Sequence, residues 1–124
     1  MPWRLPLEGQ CHEDRGVMRI LVIEDDDADM LIVSASLPEG EVDRATTLAE
    51  ATRALGAAQP ELVLLDLNLP DSRGLDTLRA VRELTDAPII VLSGMDDELG
   101  IQSVRAGADD YVTKDDVRLL KRAI

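Results

Sequence analysis

Apolar runs of strand length alternate with stretches of helical spacing along most of the 124 residues, and this alternation constrains the fold more than any other feature. Arg19–Ile23, Leu62–Leu65 and Ile89–Leu92 are almost wholly apolar, as expected of parallel strands covered on both faces. Glu41–Ala45 reads as a weaker edge strand and Asp110–Thr113 as a short fifth strand. Between them, Ala28, Leu31, Ile32 and Ala35 recur at helical spacing, as do Leu48, Ala51, Leu55 and Ala58, then Leu75, Leu78 and Val81. Asp26 or Asp27 is suited to cap the first of these helices, and Thr46 or Thr47 the second. The fourth helix, Asp96–Ala106, is the weakest. Its apolar face is thin and it contains Gly100, at a cost of ~1 kcal/mol against alanine. Val117, Leu120 and Ile124 mark a short last helix. Five strands alternating with five helices predict an α/β fold, a doubly wound five-stranded parallel sheet with helices on both faces.

Met1–Val17 lies outside this pattern. It carries Pro2, Pro6, Gly9 and Gly16 without periodicity, and is expected to be a mobile extension before a domain over residues 18–124. Cys11, His12, Glu13 and Asp14 sit there side by side, but neighbours in a flexible arm make a poor ligand set. One cysteine forms no internal disulfide, and no apolar run approaches membrane-spanning length, so a cytoplasmic location is expected. The net charge of −12 argues against nucleic-acid binding by this domain. Trp3 and Tyr111 are the only aromatic residues, so the core must be built from Leu, Ile, Val and Ala.

In folds of this class the ligand crevice lies outside the carboxyl ends of the strands. The first strand delivers Glu24 and Asp25 there, the third Asp66, the fourth Ser93 and the fifth Lys114. Each residue has a bland explanation alone, since acids cap helices and lysines are usually solvated. Four strands ending in such groups point to one site. Three carboxylates held close repel one another, and a hard divalent cation relieves the repulsion. Mg2+ fits, with Asp25 and Asp66 as direct ligands, Glu24 acting through water and the Asn68 backbone carbonyl completing the set. Such an ion neutralises charge on a phosphoryl group. Ser93 offers that group a hydrogen bond and Lys114 a positive charge. Asp66 is the candidate acceptor.

Four segments, Ile20–Asp26, Leu64–Pro70 with Gly74, Ile90–Gly94 and Gly107–Lys114, together resemble the response-regulator receiver domain of two-component signalling. The resemblance covers Met18–Ile124 and implies a flavodoxin-like fold with strand order 2-1-3-4-5. It implies that Asp66 accepts a phosphoryl group from a phosphohistidine of a histidine kinase or phosphotransfer protein. Ser93 would move toward that group, Lys114 would partner it, and Tyr111 would be the aromatic that turns inward with Ser93. The changing surface would be the fourth helix and fifth strand, controlling an output domain or partner. On this reading the chain is not an enzyme, but a phosphoacceptor that assists its own phosphorylation and dephosphorylation. Asp115 stands where the family usually has proline, so no cis peptide is expected there. The short last helix suggests a longer protein continuing into an output domain.

Other readings carry less. An aspartyl-nucleophile phosphatase usually wants a second acid two residues after the nucleophile, and Asn68 occupies that position. No Gly-rich phosphate loop supports a nucleotide enzyme. The main alternative is an interaction module of the same fold that is not phosphorylated, which the full set of acids, Ser93 and Lys114 argues against.

Overall fold

A computed structural model describes residues 18–37, 40–93 and 97–113. The first strand, β1, runs Met18–Ile23, followed by helix α1 at Asp27–Ala35, strand β2 at Gly40–Ala45 and helix α2 at Leu48–Ala57. Strand β3 spans Leu62–Asp66. A two-residue-strand hairpin follows, β4 at Asn68–Leu69 and β5 at Ser72–Arg73. Helix α3 spans Leu75–Leu84, strand β6 Ile89–Ser93, helix α4 Asp97–Arg105 and strand β7 Asp110–Thr113.

The main sheet has the order β2-β1-β3-β6-β7, every pair parallel. Leaving the hairpin aside, this is the expected 2-1-3-4-5 order. β2 lies at the edge, as its sparse apolar content predicts. Alternate residues of the strands feed two cores. Leu21, Ile23, Val63, Leu65, Ile89 and Val91 pack with Ala51 and Leu55 of α2 and Leu78 and Val81 of α3. Ile20, Val22, Leu62, Leu64, Ile90 and Leu92 pack on the opposite face with Val33 of α1 and Leu37. Both faces of the central strands are therefore dry, which explains their unbroken apolar sequences.

Three local expectations are corrected. In α1 the stripe Ala28, Leu31, Ile32 and Ala35 does not face the core. Val33 and Leu37 are buried, with Met30 half-buried beside them, while Leu31 is 72% and Ile32 49% exposed. The spacing of Met30, Val33 and Leu37 is equally helical, and the direction of the chain leaving β1 selects it. Ala58 is exposed and follows the end of α2. The segment after Asp66, expected as a plain turn, is a hairpin pairing Asn68 with Arg73 and Leu69 with Ser72. It closes at Gly74, whose φ of 67° suits glycine and whose N–H donates to the Leu67 carbonyl at 2.7 Å.

The caps follow the sequence. Asp26 accepts the Asp29 N–H at 2.9 Å, and Thr47 accepts the Glu50 N–H at 3.0 Å. Glu50 reaches back to the Thr46 N–H at 2.7 Å, a capping box displaced by one residue. The extension over residues 1–17, Gly94, Lys114, Asp115 and the last helix lie outside the described residues.

Candidate functional site

The carboxyl rim of the sheet is built by strand register. Ile23 of β1 pairs with Leu65 of β3, so Glu24 and Asp66 leave neighbouring strands at the same level. Asp66 pairs with Leu92 of β6, which brings Ser93 to the next level, and Ser93 pairs with Thr113 of β7. Parallel strands thus bring groups from residues 24 to 113 of the chain to one edge. Lys114, which follows Thr113 in sequence, lies outside the described residues.

Glu24, Asp25 and Asp66 converge, each offering a carboxylate oxygen, all three within 4.8 Å of one another. Glu24 is fully buried and Asp66 is only 6% exposed, whereas Asp25 is exposed to solvent. Two backbone amides help to orient the buried pair. The Asp26 N–H donates to Glu24 Oε2 at 3.2 Å, and the Asn68 N–H donates to Asp66 Oδ1 at 3.1 Å. An all-oxygen donor set with three negative charges fits a hard divalent cation. Burial of two of the acids makes close approach of their charges costly without a counter-charge.

Ser93 is buried and ends β6. It continues the row of Ile89 and Val91, which faces α2 and α3. Tyr111 pairs with Val91, is half-buried and packs against the same core. Asn68 is exposed at the start of the hairpin.

Two supports of this rim gave no signal in the sequence. Arg44, at the end of β2, donates from Nε to the Glu24 backbone carbonyl at 3.0 Å and pairs with Asp27 at 2.9 Å. It ties the acidic loop to the neighbouring strand. Asp71, at the tip of the hairpin, accepts the Leu48 N–H at 2.8 Å and the Ala49 N–H at 3.1 Å. The loop that follows Asp66 is thereby fastened to the amino end of α2. The Leu48 amide, with the Ala49 amide assisting, holds the Asp71 carboxyl below the usual carboxylate range. Glu50 is lowered likewise, chiefly by the Thr46 amide and hydroxyl. For Arg44 and Asp71 local sequence does not name the backbone partner, which lies 20 or more residues away.

The profile of the response regulator receiver domain family matches residues 20–124. The transcriptional regulatory protein KdpE of Mycobacterium tuberculosis is 42% identical over 98 residues, covering 77% of this chain and 43% of that protein. The chain thus spans less than half the length of the curated relatives it matches. The crystal structure of the receiver domain of NtrX from Brucella abortus superposes with a TM-score of 0.65 at 27% identity, covering 82% of this chain and 92% of that one. The Mn2+-bound form of the response regulator Rcp1 superposes with a TM-score of 0.70 at 25% identity, covering 85% and 90%. Among the described residues no helix is long and apolar enough to cross a membrane.

Proposed function

The chain belongs to the response regulator receiver domain family, and from that premise we propose that it is a phosphoryl-accepting switch with Asp66 as the acceptor. The observation that carries this reading is the convergence of Glu24, Asp25 and Asp66 on one rim within 4.8 Å. A carboxylate oxygen of Asp66 attacks the phosphorus of a phosphohistidine. The P–N bond breaks as the P–O bond forms, its electron pair staying on the ring nitrogen; the donor ring, protonated on its other nitrogen, leaves as neutral imidazole, and an acyl phosphate remains on Asp66. The Asn68 amide, on one Asp66 oxygen, orients the carboxylate.

The residues that would hold Mg2+ are Asp25 and Asp66 directly, Glu24 through water and Asn68 through its carbonyl; when bound, the ion neutralises charge on the transferring group. The Mn2+-bound form of Rcp1, similar in fold, supports a divalent cation in this family. Ser93 donates to a phosphoryl oxygen, and Lys114 supplies the positive charge opposite. The protein assists its own phosphorylation and dephosphorylation without turning over a separate substrate. The phosphoryl donor is a histidine kinase or histidine phosphotransfer protein, met in the cytoplasm. Leu31 and Ile32, exposed on the helix that begins beside the acids, offer it an apolar contact. The readout passes through α4, β7 and Tyr111 to an output domain or partner, in keeping with the greater length of the relatives.

Intact mass after incubation with Mg2+ and a small acyl phosphate tests the reading. One added phosphoryl group is expected on the wild type, dependent on Mg2+, and none on Asp66→Asn. An adduct that survives Asp66→Asn overturns the assignment.

A further inference from the structure

Gly100 looks like a defect in α4, yet it is buried. An ideal Cβ built at Gly100 would lie 2.5 Å from Tyr111 Cε2, 2.7 Å from Tyr111 Cγ and closer still to Cδ2. Real Cβ atoms do not approach carbon so closely, so the ring occupies the space that any other residue would fill. The contact is broad, since three ring atoms meet one missing methyl. The notch is also held in place. Ser103, fully buried one turn on, donates its hydroxyl to the Gly100 carbonyl at 2.6 Å. Below it, two residues past the end of the helix, the chain turns at Gly107, whose φ is 126°. Arg82 of α3 donates to the Gly107 carbonyl at 3.3 Å and pairs with Asp109 at 3.3 Å. The base of α4 is thus fastened to α3, while its middle is keyed to β7 through one ring.

We propose that Gly100 is a positioning residue for Tyr111, forming a notch that seats the ring and fixes α4 against β7. The regulatory part of this inference rests on the phosphoacceptor reading. A signal at the rim that moves the ring changes how it sits in the notch, and with it how α4 rests on β7. With the notch filled, the ring is displaced before any signal arrives, and α4 loses its key to β7. Glycine at position 100 therefore sets the resting arrangement of the switch, against its own poor helix propensity.

Tyr111 is the only tyrosine, and there is no phenylalanine, so in an NMR spectrum of the full chain its ring signals need only be told from those of Trp3 and His12, which its two-proton-pair pattern does. In the wild type, nuclear Overhauser contacts are expected from the ring to the Gly100 α-protons. In Gly100→Ala, ring contacts to residue 100 are expected to vanish and the ring signals to move toward solvent-exposed values. Acyl phosphate and Mg2+ should shift the ring signals of the wild type but not of Gly100→Ala, while both proteins gain the same mass at Asp66. A stability cycle gives an independent readout. In a Tyr111→Ala background, Gly100→Ala should improve the folding equilibrium about fivefold, the ordinary helix gain. With Tyr111 present the same change should worsen it. Gain in both backgrounds, or ring contacts to residue 100 that persist in Gly100→Ala, overturns the seat. If neither protein gains mass, the phosphoacceptor reading and the regulatory part fall together, and the ring signals of the two unmodified proteins still decide the seat.

Discussion

Glu24→Gln should stabilise the protein in the absence of divalent cations and weaken its response to them. Glu24 is fully buried, and its carboxylate lies within 4.8 Å of carboxylate oxygens of Asp25 and Asp66. At an effective dielectric of about 20, two unit charges at that spacing repel by roughly 3–4 kcal/mol. The repulsion from Asp25 is discounted because water reaches that side chain. The buried Asp66 contributes most, and attractions lost with the charge offset part of the gain. About 2 kcal/mol of net stabilisation is expected, or roughly 8 °C in Tm for a domain of this size. Glutamine keeps the volume and an oxygen to accept the Asp26 N–H, so packing is not disturbed. Thermal unfolding in a chelator, then across a Mg2+ titration, measures both effects. The wild type should gain Tm steeply with Mg2+, because binding to the folded state alone stabilises it by mass action. Glu24→Gln should start higher and gain less. If it melts below the wild type in the chelator, mutual repulsion does not dominate at this rim, and the electrostatic argument for a resident cation fails.

Two further substitutions test the supports. Arg82→Met should cost about 2–3 kcal/mol, measured by urea unfolding, because it removes a guanidinium that donates to the Thr85 and Ala87 carbonyls, each at 2.7 Å, and to the Gly107 carbonyl; a loss under about 1 kcal/mol would show that water replaces the fork. Asp71→Ala should destabilise at neutral pH and progressively less in acid. The Asp71 carboxyl is depressed in the folded state by the Leu48 and Ala49 amides, so its contribution is fully present above the unfolded value of about 4 and lost as pH falls through the folded one. Unfolding midpoints at pH 7 and pH 3 would check this, and a constant gap between variant and wild type would sink it.

The parallel sheet was legible because its strands are buried on both faces, which leaves unbroken apolar runs such as Leu62–Leu65 and Ile89–Leu92. The face of α1 was not legible. Six of its nine residues, Asp27–Ala35, are apolar, so two stripes satisfy helical spacing and only tertiary direction chooses between them. The hairpin after Asp66 escaped because strands of two residues have no period to read. Its cues, Pro70 and Gly74, speak of turns. The acids of the rim were legible for the opposite reason, since Glu24 and Asp66 stand where apolar strand sequence gives way to charge.

Arg44, Asp71 and Gly100 violate no local rule in a way that discloses their partners. Arg44 acts on a carbonyl 20 residues away, and Asp71 on amides 23 and 22 residues away. Gly100 does violate helix propensity, and from the sequence that violation reads as weakness in α4. The structure converts it into a packing requirement, because the Cβ it lacks would overlap the Tyr111 ring. The same observation changes what the helix is for. A segment that is merely unstable would loosen everywhere when perturbed, whereas a helix clamped at its base by Arg82 and keyed at its middle by one ring should loosen first around that ring. The difference is measurable, since amide exchange in Gly100→Ala should rise in the first turns of α4 and stay slow at Ala108 and Asp109, whose amides are bonded to the Ser103 and Ile89 carbonyls.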